Sequence, residues 1–449
     1  MSNYYGHNKY DGPECIVVAM DIGTTQSGVA FTYFYPGCHP QAQVVADWPG
    51  QARCNDGSKT PSIVSYRNGK FKACGGGATQ DFEDNPKNVA YWFKLHLHPR
   101  TMLKTSESRE FEIPPLPAGV TIERVYTDIM RYLMDNTRIF FETTTPNGAE
   151  IWERLRDTIV VVLATPNEWG IREQATLRKA AICASLVTEE NAGQLVQFVT
   201  EAEASVHYAL ANPRGEWLKK NTVFAVIDCG GSTVDTTVYR CVSTDPLSLK
   251  EACPSECVQA GGIFVDRGVE MMLKRRLHRS VFADPEIIRG MVNSFENDIK
   301  PQFDGTMDEY SLKFGSVRDN EPSIGINKGK ITVSAKELTD VFDAVTRQII
   351  TSCFGSLEKQ KAKYVILVGG FAESPYVRRA LWKALERLDI QVVRIADHLK
   401  KAAAEGAIIG RIKQFVVARA VKETYGGCVR QNYDKKLHRD RKHAAKLYA

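Results

Sequence analysis

An early segment of the chain reads Val17-Val18-Ala19-Met20-Asp21-Ile22-Gly23-Thr24-Thr25, an apolar run that ends in an aspartate and a glycine turn. The chain then returns through Val29-Ala30-Phe31-Thr32, so the pattern predicts a buried strand, a tight turn and a second strand. A later segment repeats it, with Phe224-Ala225-Val226-Ile227 leading into Asp228-Cys229-Gly230-Gly231-Ser232-Thr233 and returning through Asp235-Thr236-Thr237-Val238. Because a turn that recurs within one chain is more specific than a single copy, we interpret the pair as two halves of one site.

The composition of these turns is typical of phosphate binding. Glycine lets the backbone curl so that successive N–H groups converge on an anion, and neighbouring hydroxyl groups add donors. The donors expected around a polyphosphate are Gly23, Thr24, Thr25, Gly230, Gly231, Ser232 and Thr233. Asp21 and Asp228 would repel phosphate directly, but they can hold Mg²⁺ through its water shell. Two ordinary β-hairpins, with Asp and Gly as turn formers, are the plainer alternative.

A third glycine motif follows another apolar run. Val365-Ile366-Leu367-Val368 leads into Gly369-Gly370-Phe371-Ala372-Glu373-Ser374-Pro375. Two glycines after a strand leave bare backbone that a flat ring or a sugar can approach closely. The chain has no Gly-Lys-Ser/Thr phosphate loop, and no Gly-x-Gly-x-x-Gly follows its first strand, which argues against P-loop and Rossmann sites.

Short apolar runs alternate with amphipathic segments, which is typical of an α/β protein with helix-covered sheets. Strands are predicted over residues 15–20, 28–35, 62–66, 70–72, 158–164, 196–199, 223–227, 236–239, 364–368 and 390–395. Helices are predicted over 78–97 with a break at Pro86, 121–141, 168–186, 203–211, 265–277, 285–299, 335–357, 375–388 and 398–413. Hairpin turns are expected at Asn68-Gly69 and Lys328-Gly329, and a boundary between two halves at 212–215.

The bulk composition narrows the class of protein. With 449 residues, 43% hydrophobic and 25% charged, the chain has an ordinary globular composition, and its net charge of +5 does not indicate nucleic-acid binding. The 11 scattered cysteines fit a reducing compartment, and no apolar run approaches the length of a membrane span. We therefore expect a cytoplasmic protein, with the nucleus as the alternative, that contacts neither nucleic acid nor membrane. His96 and His98 are interpreted as incidental polar residues rather than metal ligands.

Together these motifs resemble the actin, sugar-kinase and heat-shock chaperone superfamily, and within it the heat shock protein 70 family in its divergent member-twelve-like branch. The resemblance runs in order from residue 15 to residue 413. It implies an α/β actin-like ATPase fold, in which two lobes each contain a ribonuclease H-like mixed sheet flanked by helices, with a nucleotide cleft between them. The implied cofactors are ATP or ADP and Mg²⁺, with Asp21 and Asp228 holding the metal through water.

The resemblance also assigns roles to single residues. The stretch Asn85-Pro86-Lys87-Asn88 with Phe93-Lys94-Leu95 resembles the segment of the family's catalytic lysine, which implies that role for Lys94. The other implied catalytic residues are Glu201, Thr233 and Asp235, although Ala202 stands where the family has proline. The implied contacts with the nucleoside and its surroundings are Gly261, Gly262, Glu296, Lys300, Gly369, Gly370 and Phe371, of which Glu296 and Lys300 match only loosely. A surface lysine, a helix cap and a turn residue are the plainer interpretations of Lys94, Glu201 and Asp235.

The implied domains are a polar segment over 1–14, lobe I over 15–211 with an insert at about 50–118, and lobe II over 222–396 with an insert at about 263–335. A helix over 397–413 is expected to return to lobe I. Residues 414–449 are expected to be a basic tail or the truncated start of a substrate-binding domain, whose first strand would be Thr424-Tyr425-Gly426-Gly427.

The implied function is that of an ATP-binding, weakly ATP-hydrolysing, chaperone-like protein. Its lobes would close on Mg²⁺-ATP and signal to a client, a co-chaperone or a C-terminal segment. Two alternatives stay open: a small-molecule kinase of the same superfamily that acts on a sugar or polyol, and a non-catalytic, nucleotide-dependent interaction scaffold. Actin-like polymerisation is a further, weaker alternative, and the sequence does not indicate an oligomeric state.

Overall fold

The computed structural model describes residues 9–51, 57–99, 102, 113–211, 217–393 and 402–421. The expected boundary at 212–215, residues 398–401 of the last predicted helix, and the basic residues from 422 onward lie outside that part. The strands of lobe I are β1 (Cys15–Ile22), β2 (Gln26–Phe34), β3 (Gln43–Val44), β4 (Lys59–Pro61), β5 (Ile63–Arg67), β6 (Lys70–Cys74), β7 (Val89–Tyr91), β8 (Val160–Thr165) and β9 (Val196–Thr200). Its helices are α1 (Thr79–Asp84), α2 (Ile122–Thr144), α3 (Gly148–Leu155), α4 (Ile171–Cys183), α5 (Ala192–Leu195) and α6 (Glu201–Ala209).

Lobe II is built from the second half of the chain. Its strands are β10 (Val223–Cys229), β11 (Val234–Thr244), β12 (Leu247–Glu251), β13 (Glu256–Val258), β14 (Glu309–Lys313), β15 (Ile326–Asn327), β16 (Lys330–Ser334), β17 (Tyr364–Val368), β18 (Gln391–Val393) and β19 (Val416–Ala418). Its helices are α7 (Gly262–Leu277), α8 (Pro285–Ser294), α9 (Ala335–Gln360) and α10 (Pro375–Glu386), and α11 (Ala402–Lys413) follows them. None of the described helices is long and apolar enough to cross a membrane.

The central sheets of the two lobes have the same arrangement. Lobe I has the strand order β3-β2-β1-β8-β9, and lobe II has the order β12-β11-β10-β17-β18. In lobe I, β1 pairs antiparallel with β2 and parallel with β8. In lobe II, β10 pairs in the same way with β11 and β17. Outer strands complete the sheets, with β4 on β2, β13 on β11 and β19 on β12. The repeated turns of the sequence therefore occupy equivalent positions in two equivalent sheets.

Helices cover both faces of each central sheet, which explains why β1 and β10 are apolar up to the aspartate near the end of each. In lobe I, α2 and α4 pack on one face, while Ala404 and Ile408 of α11 pack against Val17 and Ala19 on the other. In lobe II, α7, α9 and α10 cover one face, and Val206 of α6 packs on the opposite face. Helices α6 and α11 also contact each other, so they form the layer that joins the two lobes.

The end of the described chain is attached to lobe II. Strand β19 runs parallel to β12, and Leu249 N–H donates to the carbonyl of Phe415 over 2.7 Å. Arg419, which follows β19, forms a two-pronged ion pair with the buried Glu203 of α6 over 2.6 Å. The strand β19 was not predicted from the sequence.

Most predicted elements are confirmed, including α2, α9, β17 and both hairpins, whose turns have positive φ at Asn68 (53°) and Lys328 (50°). The predicted helix over 78–97 is wrong. Only α1 is α-helical there, because Pro86 excludes the helical conformation at Asn85. Residues 89–91 pair with β5 instead, and Trp92 takes a left-handed conformation that ends the strand. A 3₁₀ turn over Phe93–Leu97 then carries Lys94.

Candidate functional site

A cleft of about 310 Å³ lies between the two lobes, a volume within the range of small-ligand sites. Three turns line it: the β1–β2 turn, the β10–β11 turn and the segment after β17. The residues expected at a site from the sequence that line this cleft are Asp21, Gly23, Thr24, Thr25, Lys94, Glu201, Asp228, Gly230, Gly231, Ser232, Thr233, Gly262, Glu296, Lys300, Gly369, Gly370 and Phe371. Asp235 and Gly261 lie behind the lining, where Gly261 N–H donates to the Ser232 carbonyl over 3.1 Å.

The two repeated turns meet across the cleft. The Thr24 hydroxyl donates to Ser232 Oγ over 2.7 Å, and both residues are buried. The first turn is closed more tightly than the second. A Cβ on Gly23 would lie 2.3 Å from the Gln26 carbonyl oxygen, whereas a Cβ on Gly230 would lie 3.1 Å from that of Thr233. Backbone N–H groups and hydroxyls of both turns thus face one volume, an arrangement suited to an anion.

A buried lysine stands between the carboxylates of both lobes. Lys94 is 3% exposed, and its Nζ lies 2.5 Å from Oε1 of Glu201, the first residue of α6. Burial alone would lower the pKa of Lys94, but the carboxylates of Glu201, Asp21 and Asp235 raise it above its usual value. The side chain therefore stays charged and places a cation beside the cleft.

Three aspartates belong to the repeated turns. Asp21 Oδ2 lies 2.9 Å from Lys59 Nζ, and Asp228 Oδ2 accepts the Ser205 hydroxyl over 2.8 Å. Asp235 is fully buried and accepts the Asn167 N–H over 3.0 Å. Burial, reinforced by the charge of Glu201, raises the pKa of Asp228 to about 6 and that of Asp235 to about 7.

The carboxylates suit a hydrated cation rather than a directly ligated one. Among the residues that the structure describes, no three His, Cys, Asp or Glu side chains meet closely enough to hold a metal ion. Asp21 of lobe I and Asp228 of lobe II instead both line the cleft. Mg²⁺ keeps several waters and is held through few carboxylates, so this donor set fits Mg²⁺.

The other end of the cleft is formed by the segment after β17 and the turn after α8. Gly369 has φ of 87°, a conformation that favours glycine, and Gly370 and Phe371 continue its bare surface. A π-helical turn over Phe295–Ile299 follows α8 and carries Glu296 to the cleft, with Lys300 directly after it. Lys300 Nζ is 2.6 Å from Oδ2 of the buried Asp266. Bare backbone beside the Phe371 ring, with the carboxylates of Glu296 and Glu373 and the ammonium of Lys300 in the lining, can hold a heterocyclic base.

Comparison with known proteins identifies relatives along nearly the whole chain, although no family model matches it. Human heat shock 70 kDa protein 12B is 24% identical over 92% of this chain and 71% of its own length. Human heat shock 70 kDa protein 12A is 22% identical over 93% of this chain and 72% of its own length. The chaperone protein dnaK of Cyanophora paradoxa is 23% identical over 92% of this chain and 64% of its own length.

The chain is similar to proteins of the heat shock protein 70 family along nearly its whole length. Its similarity to proteins 12A and 12B confirms the branch indicated by the motifs. The family also confirms the predicted fold, an α/β actin-like ATPase fold with two lobes. Homology with this family supports a nucleotide-binding protein.

Two residues at the cleft of this heat shock protein 70 relative were not predicted from its sequence. Lys59 lines the cleft beside Asp21, but nothing in the sequence around it indicates a ligand contact. The interpretation of His98 as an incidental residue is wrong. His98 is buried, and its Nε2 lies 3.2 Å from Ser232 Oγ on the opposite lobe.

The position of the hydrogen on His98 follows from its partners. The indole N–H of Trp169 donates to Nδ1 over 3.1 Å, so Nε2 carries the hydrogen and donates to Ser232 Oγ. Burial, with Lys94 nearby, lowers the pKa of His98 to about 3, so the ring is neutral. Ser232 Oγ thus accepts from both His98 and Thr24. Its own hydrogen is left to donate to a ligand.

Proposed function

We propose that this protein binds Mg²⁺-ATP in the cleft between its lobes and hydrolyses it slowly. The observation that supports this most directly is the meeting of the two turns, through Thr24 and Ser232, beside the Lys94–Glu201 pair. Anion-binding backbone, a charged lysine and several carboxylates are the groups that phosphoryl transfer needs, since its catalysis consists mainly of positioning and electrostatic stabilisation.

The proposed roles follow from position. Backbone N–H and hydroxyl groups of Gly23, Thr24, Thr25, Gly231, Ser232 and Thr233 would bind the phosphate oxygens. Gly230, whose N–H donates to the Thr233 carbonyl over 2.9 Å, would shape the second turn around them. Asp21 and Asp228 would orient the water shell of Mg²⁺, which when bound neutralises phosphate charge. Lys94 would stabilise negative charge that develops on the terminal phosphate and position the attacking water. Glu201 holds Lys94, and with Asp235 behind it would order water in the site.

The nucleoside would occupy the end of the cleft formed by the segment after β17. The bare backbone of Gly369 and Gly370 can approach a sugar or a ring, with Phe371 beside it. Gly262 lies against Phe371, where a Cβ would be 3.3 Å from the ring, and Gly261 supports the second turn from behind. Glu296 and Lys300 would contact the base.

The proposal extends to a chaperone-like role. Because α6 begins at Glu201 in the cleft and packs with α11 between the lobes, closure on nucleotide would move the joining layer. That movement would signal to client or co-chaperone proteins, or to a C-terminal segment. A cytoplasmic or nuclear location is part of the same proposal.

The first test is calorimetric binding of ATP and ADP, with and without Mg²⁺, to the wild type and to Asp228→Ala. We expect wild-type binding of both nucleotides, tighter with Mg²⁺, and a loss of at least about tenfold in the variant. Asp340→Ala is the matched control, because Asp340 pairs with Lys336 on the surface of α9 and should leave affinity unchanged. Absence of wild-type binding would contradict the proposal.

Turnover measurements separate the alternatives. Release of inorganic phosphate from ATP without an added acceptor supports hydrolysis. Transfer of phosphate to a member of a sugar and polyol panel would point to the kinase alternative instead. Nucleotide binding without turnover would favour the interaction scaffold.

A further inference from the structure

Three neighbouring strands place a second lysine at the first turn. Asp21 of β1 lies opposite Gly28 of β2, and Gly28 lies opposite Lys59 of β4. Residues opposite each other on adjacent strands share one face of the sheet. Gly28 has no side chain, and its Cβ, if present, would lie 3.4 Å from Lys59 Cγ and 3.6 Å from Lys59 Cε. The aliphatic stem of Lys59 therefore crosses the sheet over Gly28, and its Nζ reaches Asp21 Oδ2 at 2.9 Å.

The partner of Lys59 distinguishes it from the other lysines of the cleft. Lys94 pairs with Glu201, and Lys300 pairs with Asp266. Among the lysines described in the cleft lining, Lys59 alone pairs with an aspartate proposed to hold the water shell of the metal. Its side chain keeps 21% exposure, whereas that of Lys94 keeps 4%, so the Lys59 ammonium remains accessible from the cleft.

A cation in this position acts on both ligands of the site. An ammonium group a few ångströms from a polyphosphate neutralises part of its charge, and the effect is strong where water is partly excluded. The same ammonium occupies an oxygen of Asp21 that would otherwise accept from the water shell of Mg²⁺. Both effects reduce the affinity that the nucleotide gains from the metal.

We infer that Lys59 is a resident cation of the phosphate site, which makes nucleotide affinity only weakly dependent on Mg²⁺. This inference rests on the proposed nucleotide function. Lys59 is thus a positioning and charge-balancing residue. It competes with Mg²⁺ for Asp21, and its ammonium partly replaces the positive charge of the metal beside the phosphates. Binding of metal and nucleotide are coupled, and Lys59 reduces that coupling.

The experiment measures the dissociation constants of ATP and ADP by calorimetry, in EDTA and in saturating Mg²⁺. The quantity of interest is the ratio of the constant in EDTA to the constant in Mg²⁺. We expect a ratio below about ten for the wild type and a ratio at least about tenfold larger for Lys59→Met, which keeps an unbranched stem of similar length but removes the charge. Lys72→Met is the matched control, because Lys72 pairs with Asp81 outside the cleft and should keep the wild-type ratio.

A second variant separates the charge of Lys59 from its position. In Gly28→Val the added side chain occupies the path of the Lys59 stem, so the ammonium is displaced from Asp21 although the charge is retained. We expect its ratio to rise in the same direction as that of Lys59→Met, and thermal unfolding checks that each variant is folded. If one variant does not fold, the ratio of the other decides the question.

The outcomes are distinct. Wild-type ratios in folded Lys59→Met or Gly28→Val, with binding intact, would overturn the role of Lys59 and leave the proposed function standing. Absence of wild-type binding in both EDTA and Mg²⁺ would overturn the proposed function, and the role of Lys59 with it.

Discussion

The turn of lobe I and the turn of lobe II share one backbone plan, but their surroundings differ. Asp21 is buried and faces the ammonium of Lys59, whereas Asp228 is half-buried and accepts the hydroxyl of Ser205. The first turn leaves less room around Gly23 than the second leaves around Gly230. The second turn, in addition, is hydrogen-bonded through Ser232 to His98 of lobe I. The shared plan creates the anion site, and the differing neighbours give the two aspartates different surroundings. Two copies of one motif thus carry different parts of the same chemistry.

Lys94 interacts with carboxylates of both turns, so its removal should have the largest effect. We expect Lys94→Met to lower the rate of ATP turnover by about 10²–10³-fold, because stabilisation of developing phosphate charge is lost, while nucleotide affinity changes by only about threefold. Single-turnover and calorimetric measurements check this. Lys87→Met, an exposed lysine of the same segment, is the control. Equal turnover of Lys94→Met and the wild type would refute the proposed role.

Alanine substitutions at Gly23 and Gly230 test the difference in space around the two turn glycines. In Gly23→Ala the new Cβ meets backbone oxygen at 2.3 Å, so the turn must shift; in Gly230→Ala the corresponding distance is 3.1 Å, which a small adjustment relieves. We expect Gly23→Ala to lower the free energy of unfolding by about 1–3 kcal/mol and Gly230→Ala to lower it by less than about 1 kcal/mol. Urea unfolding of both variants measures this. Equal losses would show that the two turns are equally constrained.

The contact that His98 makes with the second turn predicts a pH dependence of stability. The pKa of His98 is about 3 in the folded chain, compared with 6.5 for a free imidazole. Below pH 6.5 the unfolded chain therefore binds a proton that the folded chain excludes, and the free energy of unfolding falls as pH falls. Between pH 7 and pH 6 this residue should cost about 0.7 kcal/mol.

Urea unfolding at both pH values compares the wild type with His98→Asn and with His96→Asn, whose histidine is exposed. His96→Asn should lose as much stability as the wild type, and His98→Asn should lose about 0.7 kcal/mol less. The same loss in all three proteins would show that His98 titrates normally.

The contiguous parts of the site are predictable from sequence. An apolar run, an aspartate and a glycine turn indicate a buried strand and an anion site locally, and the repeat indicates that two such turns belong together. The structure brings Thr24 and Ser232 into contact, as a clamp from both sides requires. The positions of Lys94 and Glu201 came from the resemblance to a family, because no local pattern joins residues so far apart in the chain.

The remaining parts depend on tertiary pairing, which no local pattern records. Lys59 reaches Asp21 only through the register of three strands, and His98 reaches Ser232 only because the lobes face each other. The wrong helix over 78–97 has the same origin. Residues 89–93 form a short apolar run that spacing alone does not assign to helix or strand, and the pairing of residues 89–91 with β5 makes it a strand.

The strand β19 matters beyond the cleft. It occupies the hydrogen-bonding edge of β12, and Arg419 and Ala420 fasten it there through Glu203 and Glu251. A chain shortened to end at residue 413 would leave the amides and carbonyls of that edge open, and an open edge is a template on which a second copy can add a strand. The few residues after α11 therefore cover this edge of the sheet, and we expect a chain cut before β19 to self-associate more readily than one that includes it.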